Sequence, residues 1–293
     1  MKPRHAFMVA LLLGIGAYIL IQRTWTPNVS VNNTPVAQTV QTASSNNQAD
    51  NPSPTPSLSG EKIHLSDGLR FETVKLNIRR AKRKFSIKVQ YPQLVSDRIV
   101  EHKRAQLFNH AVRHFIENEM KRDYAVYTDT RDLEKEMSEW ADVEEVAGGD
   151  YEISYASDEV ISVVFSVYFA PWGAGGAGGT PYVFNYDFQH SREIKSGELF
   201  KPRSNHVQTL ISYCEPKLQE RHGEMFFGMS FAERAGEYKY FGITKEGIAV
   251  IFPEYTFAPG SAGIHNVFVP YEVIKDKINP RSPLAKLAGV ANE

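Results

Sequence analysis

An unbroken apolar run of 16 residues, Ala6 to Ile21, follows Lys2, Arg4 and His5 and constrains this chain more than any other feature. Positive charge ahead of such a run is the order expected when the N-terminus stays in the cytoplasm. As a helix the run covers ~24 Å, against a hydrocarbon core of ~30 Å. Extension through Gln22 and Arg23 to Trp25 reaches ~30 Å, with the arginine snorkelling and the tryptophan at the outer interface. The alternative is a cleaved signal peptide, whose apolar region of ~7–15 residues ends in a small-x-small site. Here the run ends in Ile-Leu-Ile-Gln-Arg with no Ala-x-Ala, which favours an uncleaved anchor over residues 1–25. No cysteine stands directly after it, which excludes a lipoprotein.

Thr26 to Gly60 is dominated by Thr, Ser, Asn, Gln and Pro and closes on Asn51-Pro-Ser-Pro-Thr-Pro-Ser57. Too few apolar groups are present to offset the entropy of ordering, so 26–60 is expected to be a disordered spacer with a coil reach of about 30–35 Å. The remainder is large enough for a substantial core, since the chain has 293 residues, 42% of them hydrophobic. Formal net charge is −1, and with three early basic residues set aside the rest is mildly acidic. Nucleic acid is therefore not an expected partner, because phosphate binding needs a concentrated positive field. The single cysteine, Cys214, excludes an intramolecular disulfide and a cysteine-based zinc site. It falls in a helical stripe with Val207, Leu210, Ile211 and Leu218, which predicts a buried small apolar residue.

Leu69 to Ile78 and Phe85 to Tyr91 alternate apolar and polar residues as half-buried strands do. Between them Arg79-Arg-Ala-Lys-Arg-Lys84 reads as a solvated basic hairpin tip, with contact to an anionic polymer or membrane surface as the other reading. Ser96 to Lys121 reads as an amphipathic helix with Leu107, Phe108, Ala111, Val112, Phe115 and Ile116 on its buried face. His110 and His114 lie four apart on the polar face; the zinc-protease pattern needs Glu after the first histidine, and Ala111 stands there. A second helical stripe of Leu133, Met137, Trp140 and Ala141 has an acidic outer face. Strands follow at Tyr151–Tyr155, Val160–Phe169 and Tyr182–Gln189, then a helix near Ser204–Arg221. Strands at Tyr238–Ile243, Ile248–Phe252 and Ile264–Val269 and a short helix at Tyr271–Ile278 end the domain. This order predicts an α+β fold, a mostly antiparallel sheet packed with two or three helices.

Gly173-Ala-Gly175-Gly-Ala-Gly178 matches the dinucleotide fingerprint by letter only, because an aromatic strand follows where a helix is required. Gly228-Met-Ser230-Phe-Ala232 lacks the second glycine of a nucleophile elbow. With no His-Glu-x-x-His, P-loop or evident carboxylate dyad, the sequence points away from catalysis, and neither cofactor nor metal is expected. Two acids paired only in space would make a peptidoglycan-modifying hydrolase the alternative; a structural envelope protein bound to a membrane complex is another.

Asp187-Phe-Gln-His-Ser-Arg-Glu-Ile-Lys-Ser-Gly197-Glu-Leu-Phe200, then Phe241-Gly-Ile-Thr-Lys-Glu-Gly247, Phe252-Pro-Glu-Tyr255-Thr-Phe-Ala258-Pro-Gly-Ser-Ala-Gly263 and Val269-Pro270-Tyr271 form an ordered series. It resembles the extracellular domain of the RsiV-type anti-sigma factors, which is also found attached to peptidoglycan deacetylases. The likeness covers about 158–280, with 61–157 resembling the domain's more variable first half and 281–293 left as a tail. It implies a non-enzymatic sensing or binding role in the bacterial envelope, since the best-understood member binds lysozyme. Thr180-Pro181 stands where the family often has His-Pro, so a role for that histidine does not carry over. Only five residues precede the apolar run, so direct anti-sigma action is not expected, and neither is the activity of a deacetylase module.

Together these readings predict a single-pass protein of the cytoplasmic membrane, anchored through residues 6–25, with its C-terminal domain periplasmic or extracellular, or secreted if the signal is cleaved. The ligand implied is a lysozyme-like protein or a peptidoglycan fragment. The expected contact rim is the pair of loops Ala170–Thr180 and Glu254–Gly263, both rich in glycine, proline and aromatics and both opening from strands. Its residues are Trp172, Gly175, Gly176, Thr180, Tyr182, Asp187, Tyr255, Phe257, Pro259 and Gly263.

Overall fold

The computed structural model describes residues 63–66, 68–80, 85–128, 145–170, 178–227, 238 and 240–290. The apolar run and spacer, residues 81–84 of the basic cluster, the Leu133–Ala141 stripe and Gly228–Ala232 lie outside them. Among the described residues no helix is long and apolar enough to cross a membrane.

The chain forms β1 (Ile63–His64), β2 (Leu69–Arg80), β3 (Phe85–Ser96), α1 (Ile99–Thr128), β4 (Glu145–Ser157), β5 (Val160–Ala170), β6 (Gly178–Asp187), β7 (Arg192–Glu193), α2 (Ser196–Leu199), α3 (His206–His222), β8 (Tyr240–Ile243), β9 (Gly247–Phe252), β10 (His265–Pro270), α4 (Tyr271–Ile274) and α5 (Leu284–Leu287). The fold is α+β. Seven strands form one sheet in the order β2-β3-β4-β5-β6-β7, with β1 beside β4, and β10-β9-β8 form a second.

Pairing is antiparallel except at two places: β3 runs parallel to β4 over Phe85–Val89 and Glu145–Gly149, and β1 runs parallel to the end of β4. A parallel neighbour needs a long crossover, and the stretch carrying α1 supplies it. Past Val89, β3 keeps only β2 as a ladder partner, and Pro92, which has no N–H to donate, falls in that stretch opposite Thr73. Strand β4 starts six residues before the sequence expectation of Tyr151, running through Ala147-Gly148-Gly149; glycine depresses strand propensity, and tertiary pairing overrides it here.

Helix α1 buries Ala105, Phe108, Val112, Ile116 and Met120, a stripe at three- and four-residue spacing. Leu107, expected on that face, is 43% exposed; the buried stripe runs one residue to its side. Phe108 meets Phe71, Phe184 and Tyr186 at ring-centroid distances of 6.1, 6.1 and 5.4 Å, and Phe115 meets Phe184 at 5.1 Å. The opposite face of β5 and β6 is covered by the small sheet, with Val164 packed against Ala249 and Ile251. Burial on both faces explains why β5 reads as a nearly continuous apolar run.

Helices α3, α4 and α5 close a second core over the small sheet, which includes Leu210, Cys214, Leu218, Val250, Phe252, Val267, Val269 and Ile274. Cys214 is buried as its stripe predicts, and burial pushes its thiol up to about 12. Residues 281–293, expected to be a tail, contain α5, whose Leu284 and Ala285 are buried. The two sheets are joined by a polar seam. Ser162 Oγ accepts from Ser154 Oγ at 2.7 Å and from the Ile243 N–H at 2.9 Å, and Asn185 Nδ2 donates to the Phe241 carbonyl at 2.7 Å.

Candidate functional site

The loop joining β9 to β10, residues 253–264, packs onto the head of β6. Glu254 N–H approaches the Gly179 carbonyl at 3.5 Å. A Cβ at Gly179 would lie 2.6 Å from Glu254 Oε1 and 3.1 Å from Ile264, so the missing side chain lets the two segments close. Gly179 at the start of β6 and Glu254, 75 residues apart in sequence, therefore adjoin. Gly179 and Glu254 were not among the expected rim residues. Their meeting depends on how β9 crosses β6, which no local pattern reveals.

Within this loop Phe257 and Tyr255 play opposite parts. Phe257 is fully buried, stacked on Phe226 at 5.7 Å and set edge-on to Phe252 at 4.9 Å. Its carbonyl accepts from the Phe227 N–H at 2.7 Å, so Phe257 anchors the loop and presents nothing to a ligand. Tyr255 is 68% exposed and sits at φ 64°, the left-handed region that costs a side-chain-bearing residue roughly 1–2 kcal/mol. Its ring lies over Gly260, where a Cβ would clash with it. Pro259 starts the 3-10 turn Gly260–Ala262, and Gly263 ends it at φ 73°.

The remaining expected rim residues divide by burial. Trp172, Gly175 and Gly176 lie outside the described residues, and Thr180 is half-buried in β6. Tyr182 and Asp187 are interior. Tyr182 alternates onto the α1 face of β6, and Asp187 holds the turn into β7: its carboxylate accepts from the His190 backbone N–H and from His190 Nδ1, both at 2.9 Å, with Arg192 at 3.7 Å. Among the expected rim residues described here, Tyr255 is thus the strongly exposed side chain. Met225 and Phe227, which the sequence did not single out, are exposed beyond α3.

Beside the loop, at the end of α3, His222 and His265 bring their ring centroids to 4.5 Å at 58°. Both Nε2 atoms are buried without a hydrogen-bond partner. Burial first, then the neighbouring His222 and Arg221, lowers the His265 pKa to about 4; burial and Arg221 lower that of His222.

Residues 197–272 match the model of a family described as a protein of unknown function, DUF3298. The matched span runs from α2 through the start of α4 and contains Tyr255, Phe257, Pro259 and Gly263, so the strained loop lies inside the DUF3298 segment. The chain is also similar to the crystal structure of a DUF3298 family member from Bacteroides fragilis, at 14% identity and a TM-score of 0.49, over 77% of this chain and 98% of that one. A DUF3298 family protein from Pseudomonas aeruginosa is similar at 14% identity and a TM-score of 0.46, over 73% and 96%. No curated protein matches.

Proposed function

We propose that this chain is a non-enzymatic, membrane-anchored binding or sensing module facing outward from the bacterial cytoplasmic membrane, and that its ligand is a lysozyme-like protein or a peptidoglycan fragment. The observation that carries the reading is Tyr255, an exposed aromatic in a left-handed backbone conformation, on a loop pinned from below by Phe257 and from the side by Gly179. Strain of this kind persists only where the surroundings over-determine it, and it concentrates at ligand clamps. A rigid aromatic presented this way suits a binding anchor, because little side-chain freedom remains to be lost on contact. The apolar run and polar spacer support the tethered placement, and the RsiV-type likeness supports the ligand class.

Pull-down of the full chain with lysozyme and with purified peptidoglycan at low salt tests the reading. Binding to one of them, weakened by Tyr255→Ala by about 2 kcal/mol or ~30-fold, is the expected result. Failure of both ligands to bind overturns it. A reporter fused after Glu293 that is active only in the cytosol overturns the outward placement.

A further inference from the structure

The solvent face of α1 carries a column of polar side chains four residues apart: His102, Gln106, His110, His114 and Asn118, all exposed. Neighbours at that spacing sit one above the other, ~5–6 Å between Cβ atoms. The ends of the column are engaged in side-chain contacts, with His102 Nε2 2.9 Å from Gln106 Nε2 and Asn118 Nδ2 3.2 Å from the His114 ring. At its centre the His110 and His114 rings stand 6.2 Å apart and within 10° of parallel.

We propose that His110 and His114 form a chelating site for a divalent transition-metal ion of the zinc or nickel class. Imidazole nitrogen suits these ions, which bind it at ~2.0–2.1 Å. Exposed side-chain torsions change on the picosecond to nanosecond scale, so each ring can turn one nitrogen toward a common ion. The backbone spacing is fixed beforehand, because Phe108, Val112 and Ile116 lock the other side of the helix into the core. Only side-chain freedom is then lost on binding. The cation on the intervening turn, Arg113, is held by Glu117 at 2.9 Å, which moderates repulsion of an arriving ion.

The same four-residue spacing delivers two ligands in helical zinc sites, where a glutamate beside the first histidine is the general base. Ala111 fills that position, so this site holds an ion without hydrolytic chemistry. Among the described residues no group of three or more His, Cys, Asp or Glu side chains is gathered for a metal. Among the described residues His110 and His114 are therefore the two protein ligands of the ion, with its other positions open to water or to a further donor from a bound partner.

Calorimetric titration of the untagged full-length chain with Ni²⁺, repeated with Zn²⁺, is the test. One ion per chain is expected. His110→Gln and His114→Gln should each weaken binding at least about tenfold, since loss of even an outer partner of a ligand costs 10–100-fold. His102→Gln should bind as the native chain does. Metal should raise the melting temperature of the native chain and of His102→Gln but not of the other two. Undiminished binding in His110→Gln or His114→Gln overturns the site, as does an equal loss in His102→Gln.

Discussion

Under α1 the large sheet packs Phe108, half-buried Phe115, Phe165, Phe184 and Tyr186 ring against ring, whereas the core under α3 runs out at a pair of touching histidines whose Nε2 atoms have no hydrogen-bond partner. The first region has every mark of scaffold: a 30-residue helix laid across long strands, with its polar residues on the solvent side. At the edge of the second core, by contrast, the buried His222–His265 pair lies beside the loop 253–264, which holds Tyr255 at φ 64°. Departures from local rules concentrate where function sits, because packing elsewhere sustains them. That contrast makes the small sheet and its loop the region to interrogate, with the α1 core as the control.

The contrast breaks most visibly if the scaffold side is emptied. Phe108→Ala removes a fully buried ring in contact with three others, and large-to-small changes at such sites cost ~3–5 kcal/mol. Denaturant unfolding should show the midpoint falling by that equivalent with little change in slope. A loss under 1 kcal/mol would mean that this core is looser than its ring geometry implies.

Acid should attack the other core selectively. His265 and His222 both have folded-state pKa values below the unfolded value, so the unfolded chain takes up protons first. The contribution of each to stability is complete above about pH 6.5 and is lost as pH falls, for His265 toward its folded value of about 4. For His265 alone the limit is ~3 kcal/mol, from roughly 2.5 pK units. Melting curves from pH 7 to 4 should show this decline, and His265→Leu should flatten it. Phe108→Ala should lower every point without changing the slope, and an unchanged slope in His265→Leu would remove the histidine pair from the account.

The seam between the sheets offers a smaller break. Ser162→Ala leaves the buried Ile243 N–H without its acceptor and the Ser154 hydroxyl with only the Ser162 carbonyl at 3.3 Å, at ~1–3 kcal/mol. Thermal melting reads this directly, and a neutral result would require another acceptor for the Ile243 N–H. Nothing in the sequence marks Ser162 as such a link: it is one polar residue in Val160-Ile-Ser-Val-Val-Phe165, and only the pairing with β4 and the approach of β8 from the other sheet give it partners. The same limit explains the rest of the mismatch between sequence and structure. Period-two and period-three-to-four patterns exposed β5, β6, α1 and α3, because each buries a continuous face against a neighbour. They missed α2, β7 and α5, which are too short to show a period, and they missed the parallel β3–β4 junction, which depends on a crossover. In the candidate site, loop composition singled out Tyr255, Pro259 and Gly263, which the structure places together on one loop, but alternation on a strand whose two faces are both covered gave no sign that Tyr182 points inward. Asp187 looked available for the same reason, since a carboxylate that caps a turn and one that meets a ligand read alike.

The smallest expected change in stability is the most informative about the loop. Tyr255→Gly removes the left-handed penalty at φ 64° while adding flexibility to the unfolded chain, so the two effects oppose each other within ~1 kcal/mol. Tyr255→Ala keeps a Cβ and hence the penalty, while losing the ring that lies on Gly260. If the fold holds the strain and the tyrosine serves a ligand, both variants should melt within a few degrees of the native chain and both should lose binding to lysozyme or peptidoglycan. If the ring on Gly260 is instead what orders the loop, both variants should melt measurably lower, and a ligand-independent loss of proteolytic protection should appear between Pro253 and Ile264. Restoring binding with Tyr255→Phe, which keeps the flat ring and discards only the hydroxyl, would place the recognition in the aromatic face and not in the phenol.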